Sequence, residues 1–376
     1  MVPPHVYLDH NATTPVLDVA RAATNDAFDH LGNPSSVHRF GAGARQILDH
    51  ARDQVVKLVG AKTSTVIFTS GGTEANNLAI LGADRPVIVS ATEHDSVFAP
   101  SRNTIKGVTV APVDGDGVID LGALDTILAK RPGALVSLML ANNETGVCQP
   151  IREAAALARE FGALLHCDAV QGPGKLPLDF DALGVDMLTV SAHKFGGPMG
   201  TGALVVRKGL SLSAQQLGGG QEGYSRAGTQ NIPGIAGFGA AAQWWIESDT
   251  VLPAVMKLRD RLELACREFG STVFGAEAVR LPNTSCLTMP GVSSETQVMA
   301  FDLDGIAVSA GSACSSGKVG PSHVLAAMGA VPELAASAVR VSLGWDTREE
   351  DIELFVGAWT ALYRRKNRTT SPQLAS

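Results

Sequence analysis

Between about residue 45 and residue 210, short β-branched runs alternate with stretches of helical periodicity. The runs are Val66-Ile-Phe-Thr, Val87-Ile-Val-Ser, Leu135-Val-Ser-Leu-Met-Leu, Leu164-Leu-His-Cys and Met187-Leu-Thr-Val. Such alternation predicts a largely parallel α/β sheet. Ile151-Arg-Glu-Ala-Ala-Ala-Leu-Ala-Arg-Glu-Phe, rich in helix formers and stopped by Gly162, reads as a crossover helix between two of the strands. After the Gly-rich stretch Leu217-Gly-Gly-Gly-Gln-Glu-Gly the pattern changes to long helices, from near Gly234 through Trp244-Trp245 to about Phe269. A second, mixed α/β region follows. Its expected strands are Ser285-Cys-Leu-Thr-Met, Ala307-Val-Ser and Ala338-Val-Arg-Val-Ser-Leu, with helices around 296–303, 323–328 and 348–362. The polar tail from Arg364 onward is expected to fray.

A chain of 376 residues with 45% hydrophobic content exceeds what one core usually organises, so two domains, or one large domain with an appendage, are expected. The formal charge of −7, from 30 basic and 37 acidic residues, gathers into no long run of one sign. This argues against a nucleic-acid or membrane surface. The five cysteines are odd in number and scattered, with no C-x-x-C pair, which disfavours a disulfide framework and a structural zinc site. With no signal-peptide pattern and no long apolar span, the expected compartment is the cytoplasm, and no metal is expected.

Polar residues collect just past the strands, where open α/β sheets bind ligands. Ser70-Gly-Gly-Thr-Glu-Ala-Asn-Asn follows a strand and opens a helix, so its backbone N–H groups, with Gly72 and the Thr73 hydroxyl, can hold an anion, although a glycine pair before a helix is more often just a turn. Asp168 ends an apolar run, where a carboxylate needs a cation or a donor; a salt bridge or helix cap would also explain it. Met187-Leu-Thr-Val-Ser-Ala-His-Lys-Phe-Gly-Gly-Pro ends with Ser191, His193 and Lys194 before a glycine turn. A lysine turned inward there suits a desolvated amine able to form a Schiff base. Together these residues answer the needs of pyridoxal phosphate (PLP). Lys194 holds the cofactor, Asp168 keeps the pyridine nitrogen protonated, and Thr73, Ser191 and His193 bind the phosphate. His94 stands as a stacking partner and proton carrier, or else as a buried structural histidine. The amides of Asn143 and Gln171 sit where they could position the ring.

Val308-Ser-Ala-Gly-Ser-Ala-Cys-Ser-Ser-Gly is a small-residue segment carrying one thiol, Cys314. With no core to fill, that thiol reads as a nucleophile, whereas the other four cysteines lie in apolar runs or helices and read as structural. Arg340, inside an apolar strand, is suited to gripping a carboxylate through two parallel bonds, with a structural ion pair as the alternative.

The chain resembles the group I cysteine desulfurases, a class V branch of the fold-type-I PLP enzymes. The resemblance runs through Leu8-Asp-His-Asn-Ala-Thr-Thr-Pro, Phe68-Thr-Ser-Gly-Gly-Thr-Glu, Thr92-Glu-His, Asn142-Asn-Glu-Thr-Gly, Asp168-Ala-Val-Gln, Ser191-Ala-His-Lys, Arg226-Ala-Gly-Thr and Gly311-Ser-Ala-Cys-Ser-Ser. It implies a large PLP-binding domain over 16–250 with a mainly parallel seven-stranded sheet, and a smaller mixed α/β domain from 1–15 and 251–376. It also implies a homodimer in which Thr229 reaches the phosphate of the neighbouring subunit's cofactor. L-cysteine is the implied substrate: Cys314 takes its sulfur as a persulfide, alanine leaves, and the sulfur passes to an acceptor such as an iron–sulfur scaffold protein. Two departures stand out. Where many relatives carry an arginine after Gln-Glu, this chain has Gly223-Tyr-Ser before Arg226. The chain also ends soon after its final helix, which leaves housekeeping and specialised roles equally open. Other class V enzymes, aminotransferases and selenocysteine lyases, would share Lys194 and Asp168; Cys314 separates them. A nicotinamide-dependent oxidoreductase is disfavoured, since the chain lacks the G-x-G-x-x-G fingerprint.

Overall fold

The computed structural model describes residues 5–62, 64–248, 251–311 and 322–370. Cys314, the expected nucleophile, lies outside the described residues.

The apolar runs form the centre of a seven-stranded sheet. Its strands are β2 (Ser64–Thr69), β3 (Val87–Ser90), β4 (Val108–Ala111), β5 (Leu135–Met139), β6 (Leu164–Asp168), β7 (Met187–Ser191) and β8 (Gly202–Arg207), in the order β2-β8-β7-β6-β5-β3-β4. β4-β3-β5-β6-β7 are parallel, and β8 runs antiparallel to both β7 and β2. β5, β6 and β7 are buried at every residue, as strands covered by helices on both faces must be. The crossover helix is Ile151–Glu160, closed by Gly162 at φ 63°, the left-handed conformation that suits glycine.

Two smaller sheets accompany it. β1 (Val6–Tyr7) pairs parallel with β10 (Ile306–Ala307), while β9 (Thr284–Thr288), β12 (Ala338–Ser342) and β11 (Ser309–Ala310) form an antiparallel sheet in the order β11-β12-β9. The single strand expected at 307–309 is thus two short strands in different sheets, divided at Val308. Two main cores result. One runs from Leu17 through the seven-stranded sheet to Ala242, and the other joins Val6 and Leu8 to Leu262, Phe301, Phe355 and Trp359.

The long helical stretch is two helices, Ile232–Ile246 and Val251–Arg267. The last helix runs Glu349–Thr370, so residues 364–370 of the tail expected to fray are helical, and the rest of it lies outside the described residues. Arg, Lys and Asn there continue the helix, and the first strong breaker, Pro372, comes only after its end.

Candidate active site

The sheet register sets Met139, Asp168 and Thr189 side by side on β5, β6 and β7. The residues that follow leave the sheet along one edge, and β2 delivers the helix Gly72–Gly82 to the same edge. Gly72, Thr73, Asn76, His94, Ser96, Met139, Ala141, Asn143, Asp168, Val170, Gln171, Ser191, His193 and Lys194 together enclose a cavity of about 160 Å³. Nine of these were singled out from the sequence as cofactor ligands: Gly72, Thr73, His94, Asn143, Asp168, Gln171, Ser191, His193 and Lys194.

Asp168 is buried and its carboxylate is met on both sides. Oδ2 accepts from Asn76 Nδ2 at 2.7 Å, and Oδ1 accepts from the Val170 backbone N–H at 3.0 Å. The second proton of Asn76 Nδ2 goes to Ser96 Oγ at 2.8 Å, and Ser96 Oγ lies 2.8 Å from His94 Nδ1. Asn76 therefore ties the aspartate to the histidine. His94 also caps the helix Asp95–Arg102, with Nδ1 accepting from Ser96 N at 3.0 Å. The structural and chemical readings of His94 coexist: with Nδ1 accepting, the neutral ring carries its proton on Nε2.

Glu93, beside His94, is fully buried, and its Oε1 accepts from Met139 N at 2.7 Å. Burial, and then the neighbouring Asp168 charge, push its carboxyl well above the usual range.

At the other end of the cavity the helix Gly72–Gly82 presents its unsatisfied N–H groups. A Cβ on Gly72 would lie 2.8 Å from Val170 Cγ2, so glycine is what lets this backbone close on the cavity wall. His193 Nδ1 is 3.1 Å from Thr13 Oγ1, leaving Nε2 as the nitrogen available to an anion. Burial, reinforced by the charges of Lys194 and Lys175, lowers His193 to about 4, so the ring is neutral at pH 7.

Lys194 Nζ donates to the carbonyls of Asn11 at 2.6 Å and Ala12 at 2.8 Å. Gln171 Nε2 donates to Asn11 O at 3.0 Å, and its Oε1 meets the buried amine of Lys175. Asn143 lines the cavity with its side chain, and its carbonyl accepts from Asn11 Nδ2 at 3.2 Å and from Arg340 at 3.1 Å. Asn76, Ser96, Lys175 and the Asn11 hub had no assigned role from the sequence. Asn76 was legible in principle, one turn into the helix from Gly72.

Arg340 stands on β12, not in the cavity wall. It is 1% exposed and pairs with Asp9 at 2.6 Å, whose second oxygen accepts from Ser309 Oγ at 2.9 Å. The ion pair given as its alternative reading is therefore present. Its contact with the Asn143 carbonyl also places it one residue's width from the cavity. Thr229 is exposed and does not line this cavity. The departing Gly223-Tyr224 segment is exposed as well, and the adjacent Glu222 turns inward, binding Arg52 and the Phe68 backbone N–H. Cys167, Cys266 and Cys286 are buried and Cys148 is half-buried; burial raises all four thiols, Cys148 to about 11. They pack as the sequence implied.

The donor set fits PLP. A lysine amine, a doubly supported carboxylate and a helix N-terminus opened by glycine face one small cavity. Asn76 Oδ1, a buried acceptor in the wall, has no partner among the described residues, as expected of a wall shaped around a polar group.

The aminotransferase class-V family model matches residues 6–355. A cysteine desulfurase from Cereibacter sphaeroides is 46% identical over 360 residues, 92% of each chain. The cysteine desulfurase IscS of Dictyoglomus turgidum is 40% identical over 381 residues, 98% of this chain and 96% of that one. The X-ray structure of a NifS-like protein from Rickettsia africae superposes with a TM-score of 0.89 at 34% identity, covering 96% of this chain and all of that one. A solved complex of SspA with cysteine gives 0.79 at 30% identity, covering 90% and 98%. The chain belongs to the class V aminotransferase family and, within it, to the cysteine desulfurases.

Proposed function

We propose that this PLP-dependent cysteine desulfurase attaches its cofactor at Lys194 and delivers the sulfur of L-cysteine to Cys314. The observation that carries the reading is the meeting of the Lys194 amine, the Asp168 carboxylate and the Gly72–Gly82 helix N-terminus in one cavity. When bound, PLP withdraws electrons from the bonds at the substrate's α-carbon. Asp168, fixed by Asn76 and Val170, holds a proton at the ring nitrogen. Gly72, Thr73, Ser191 and neutral His193 bind the phosphate through N–H and O–H donors. The Lys194 amine, held by the Asn11 and Ala12 carbonyls, would carry protons to and from the substrate carbons. His94 would meet the ring with its Nε2–H, and Asn143 and Gln171 would orient it. Arg340 takes the substrate carboxylate.

In the sulfur step the Cys314 thiolate forms an S–S bond to the substrate sulfur as the substrate's Cβ–S bond breaks. The electron pair of that bond stays with the carbon, which takes up a proton from the Lys194 amine, so the products are alanine and a Cys314 persulfide. An external thiol or acceptor protein then removes the terminal sulfur.

The same reading extends to a homodimer. Thr229 is exposed rather than turned to its own cavity. An open groove of about 1060 Å³ runs along the helices Asp18–Phe28, Arg39–Leu58 and Ile232–Ile246, with exposed Val37 in its lining and exposed Phe28, Leu31 and Phe40 close by in sequence. A face that mixes these apolar side chains with Asp26, Arg45, Asp49 and His50 suits a second copy. The sulfur goes to an iron–sulfur assembly protein or a thio-cofactor pathway in the cytoplasm, which agrees with the free thiols of the four described cysteines.

The test is alanine and sulfide production from L-cysteine with added reductant, recorded beside the visible absorbance. Yellow protein yielding both products is the expected result; yellow protein yielding neither assigns the site to another amino acid. Lys194→Ala is expected to lose covalent cofactor attachment. Cys314→Ser is expected to stay yellow and release no sulfide, and retained sulfide release would remove Cys314 from the mechanism.

A further inference from the structure

Asn11 is 1% exposed, and every polar group it owns is engaged. Its N–H donates to Ser342 Oγ at 3.0 Å, and its carbonyl accepts from Lys194 Nζ at 2.6 Å and Gln171 Nε2 at 3.0 Å. Its Nδ2 donates to the Asn143 carbonyl at 3.2 Å and Thr284 Oγ1 at 2.9 Å, and its Oδ1 accepts from Lys175 Nζ at 3.1 Å and Asn283 Nδ2 at 3.2 Å. Three of these partners, Lys194, Gln171 and Asn143, line the cavity, each from a different strand end. The others lie on the three-stranded sheet, its approach, or the turn after β6.

Lys175 is the unusual member. It is buried, and both of its hydrogen-bond partners, Asn11 Oδ1 and Gln171 Oε1, are amide oxygens. The charges that act on it are the cations Lys194 and Arg340, and burial, then those cations, push its amine well below the usual range. Burying an amine among amides and other cations costs free energy that an apolar side chain of similar size would avoid. It has one geometric consequence. Two N–H bonds from one amine fix which way both amides face, and the pattern holds whether the amine is charged or neutral. With Oδ1 and Oε1 turned to Lys175, Asn11 Nδ2 must face Asn143 and Gln171 Nε2 must face the Asn11 carbonyl.

We propose that Asn11 is the positioning residue of this active site, locked by Lys175 so that its carbonyl receives the Lys194 amine and its carboxamide fixes Asn143. The proposal rests on Lys194 being the cofactor lysine, and it deepens that reading. Lys175 touches no reacting atom, and Asn11 meets only the Lys194 amine, through its backbone carbonyl. They act by fixing the position of the Lys194 amine between its bond to the cofactor and its work on the substrate.

The test is made on the full chain freed of PLP and resupplied with it. The rate of appearance of the visible band is measured, borohydride reduction then traps the covalent adduct, and kcat and KM are measured separately. Loss of orientation at a reacting amine predicts a fall of about a hundredfold in band formation and in kcat for Asn11→Ala, with KM within about threefold. Lys175→Met keeps the volume but not the donors and is expected to lose about tenfold; Lys175→Gln restores N–H donors without charge and is expected to recover most of that loss. A parent-like rate in either Asn11→Ala or Lys175→Met overturns the proposal, as does Lys175→Gln behaving like Lys175→Met. If Asn11→Ala fails to fold, the Lys175 pair decides. Lys194→Ala, run alongside, separates the two readings: borohydride trapping that survives it refutes Lys194 as the attachment point, whatever the Asn11 variants do.

Discussion

The two ends of the active site are built in different ways. The anion end, with Gly72, Thr73, Ser191 and His193, comes from local strand–turn–helix geometry, in which glycines and short polar side chains follow apolar strands directly. The opposite end is a seam where Asn11, Gln171, Lys175, Asn283, Thr284 and Arg340 meet across separations of up to 331 residues, as between Asp9 and Arg340. The first end fixes a charge with backbone dipoles, and the second fixes direction with paired side chains. Damage at the first should therefore appear as lost electrostatic support, and damage at the second as lost orientation or stability.

The largest effect is expected between the two, at Asp168. Asp168→Asn keeps shape and volume but removes the charge that keeps a proton on the ring nitrogen. A loss in kcat on the order of a hundredfold or more is expected, on the scale of general acid–base contributions. Cofactor uptake should remain, because the phosphate ligands are untouched. Uptake lost in step with kcat would make Asp168 part of the binding end instead.

Arg340→Ala is expected to be next in size, raising KM for L-cysteine at least tenfold with little change in PLP affinity. A bidentate charge-assisted contact of this kind is worth about 1.5–3 kcal/mol. The variant also leaves half-buried Asp9 without its cation, so the melting temperature should fall. A lower melting temperature with unchanged KM would confine Arg340 to the ion pair with Asp9.

This division also governs what the sequence could reveal. β2, β3, β5, β6 and β7 are legible because burial makes each an apolar run, and the chemistry that follows a run is legible as its abrupt end, as at Asp168 or Ser191-Ala-His-Lys. β4 is an edge strand, half exposed in its first residues, and β8 is disguised by the glycines and proline before it, so neither stands out from the alternation. Lys175 reads as an ordinary loop lysine, and only the fold shows it sealed beside Gln171. Asn11 lies within a motif that marks the family, yet nothing local in that motif shows its seven partners. Arg340 was legible as an oddity in an apolar strand, but its pairing with Asp9 needed the three-dimensional structure. Local sequence carries the anion end, whereas the seam exists only once distant segments are brought together.

The smallest effects should appear as opposed pH slopes of stability, one from the sheet interior and one from the seam. His166 is sealed between Ser137 and Thr189, each at 2.9 Å, and burial lowers it to about 4. Its unfolded value is higher, so stability is present above pH 6.5 and is lost as pH falls from 6.5 towards 4. Glu144, bonded to Ser322 at 2.6 Å, is raised by burial to about 7, against a partial lowering by that bond and by the Arg340 charge. Its unfolded value is lower, so stability is present below pH 4.5 and is lost as pH rises from 4.5 to 7. Each swing is at most about 3 kcal/mol, and between pH 4.5 and 6.5 the two oppose one another. The difference in melting temperature between parent and variant, followed across pH, isolates each group from His10 and His193, which are lowered to about 4 as well. His166→Gln should remove the rise in stability with pH over that window, and Glu144→Gln should remove the fall. A parent-like slope in His166→Gln would show that the interior histidine is already charged when folded, and one in Glu144→Gln would show that the seam carboxyl ionises as it does in water.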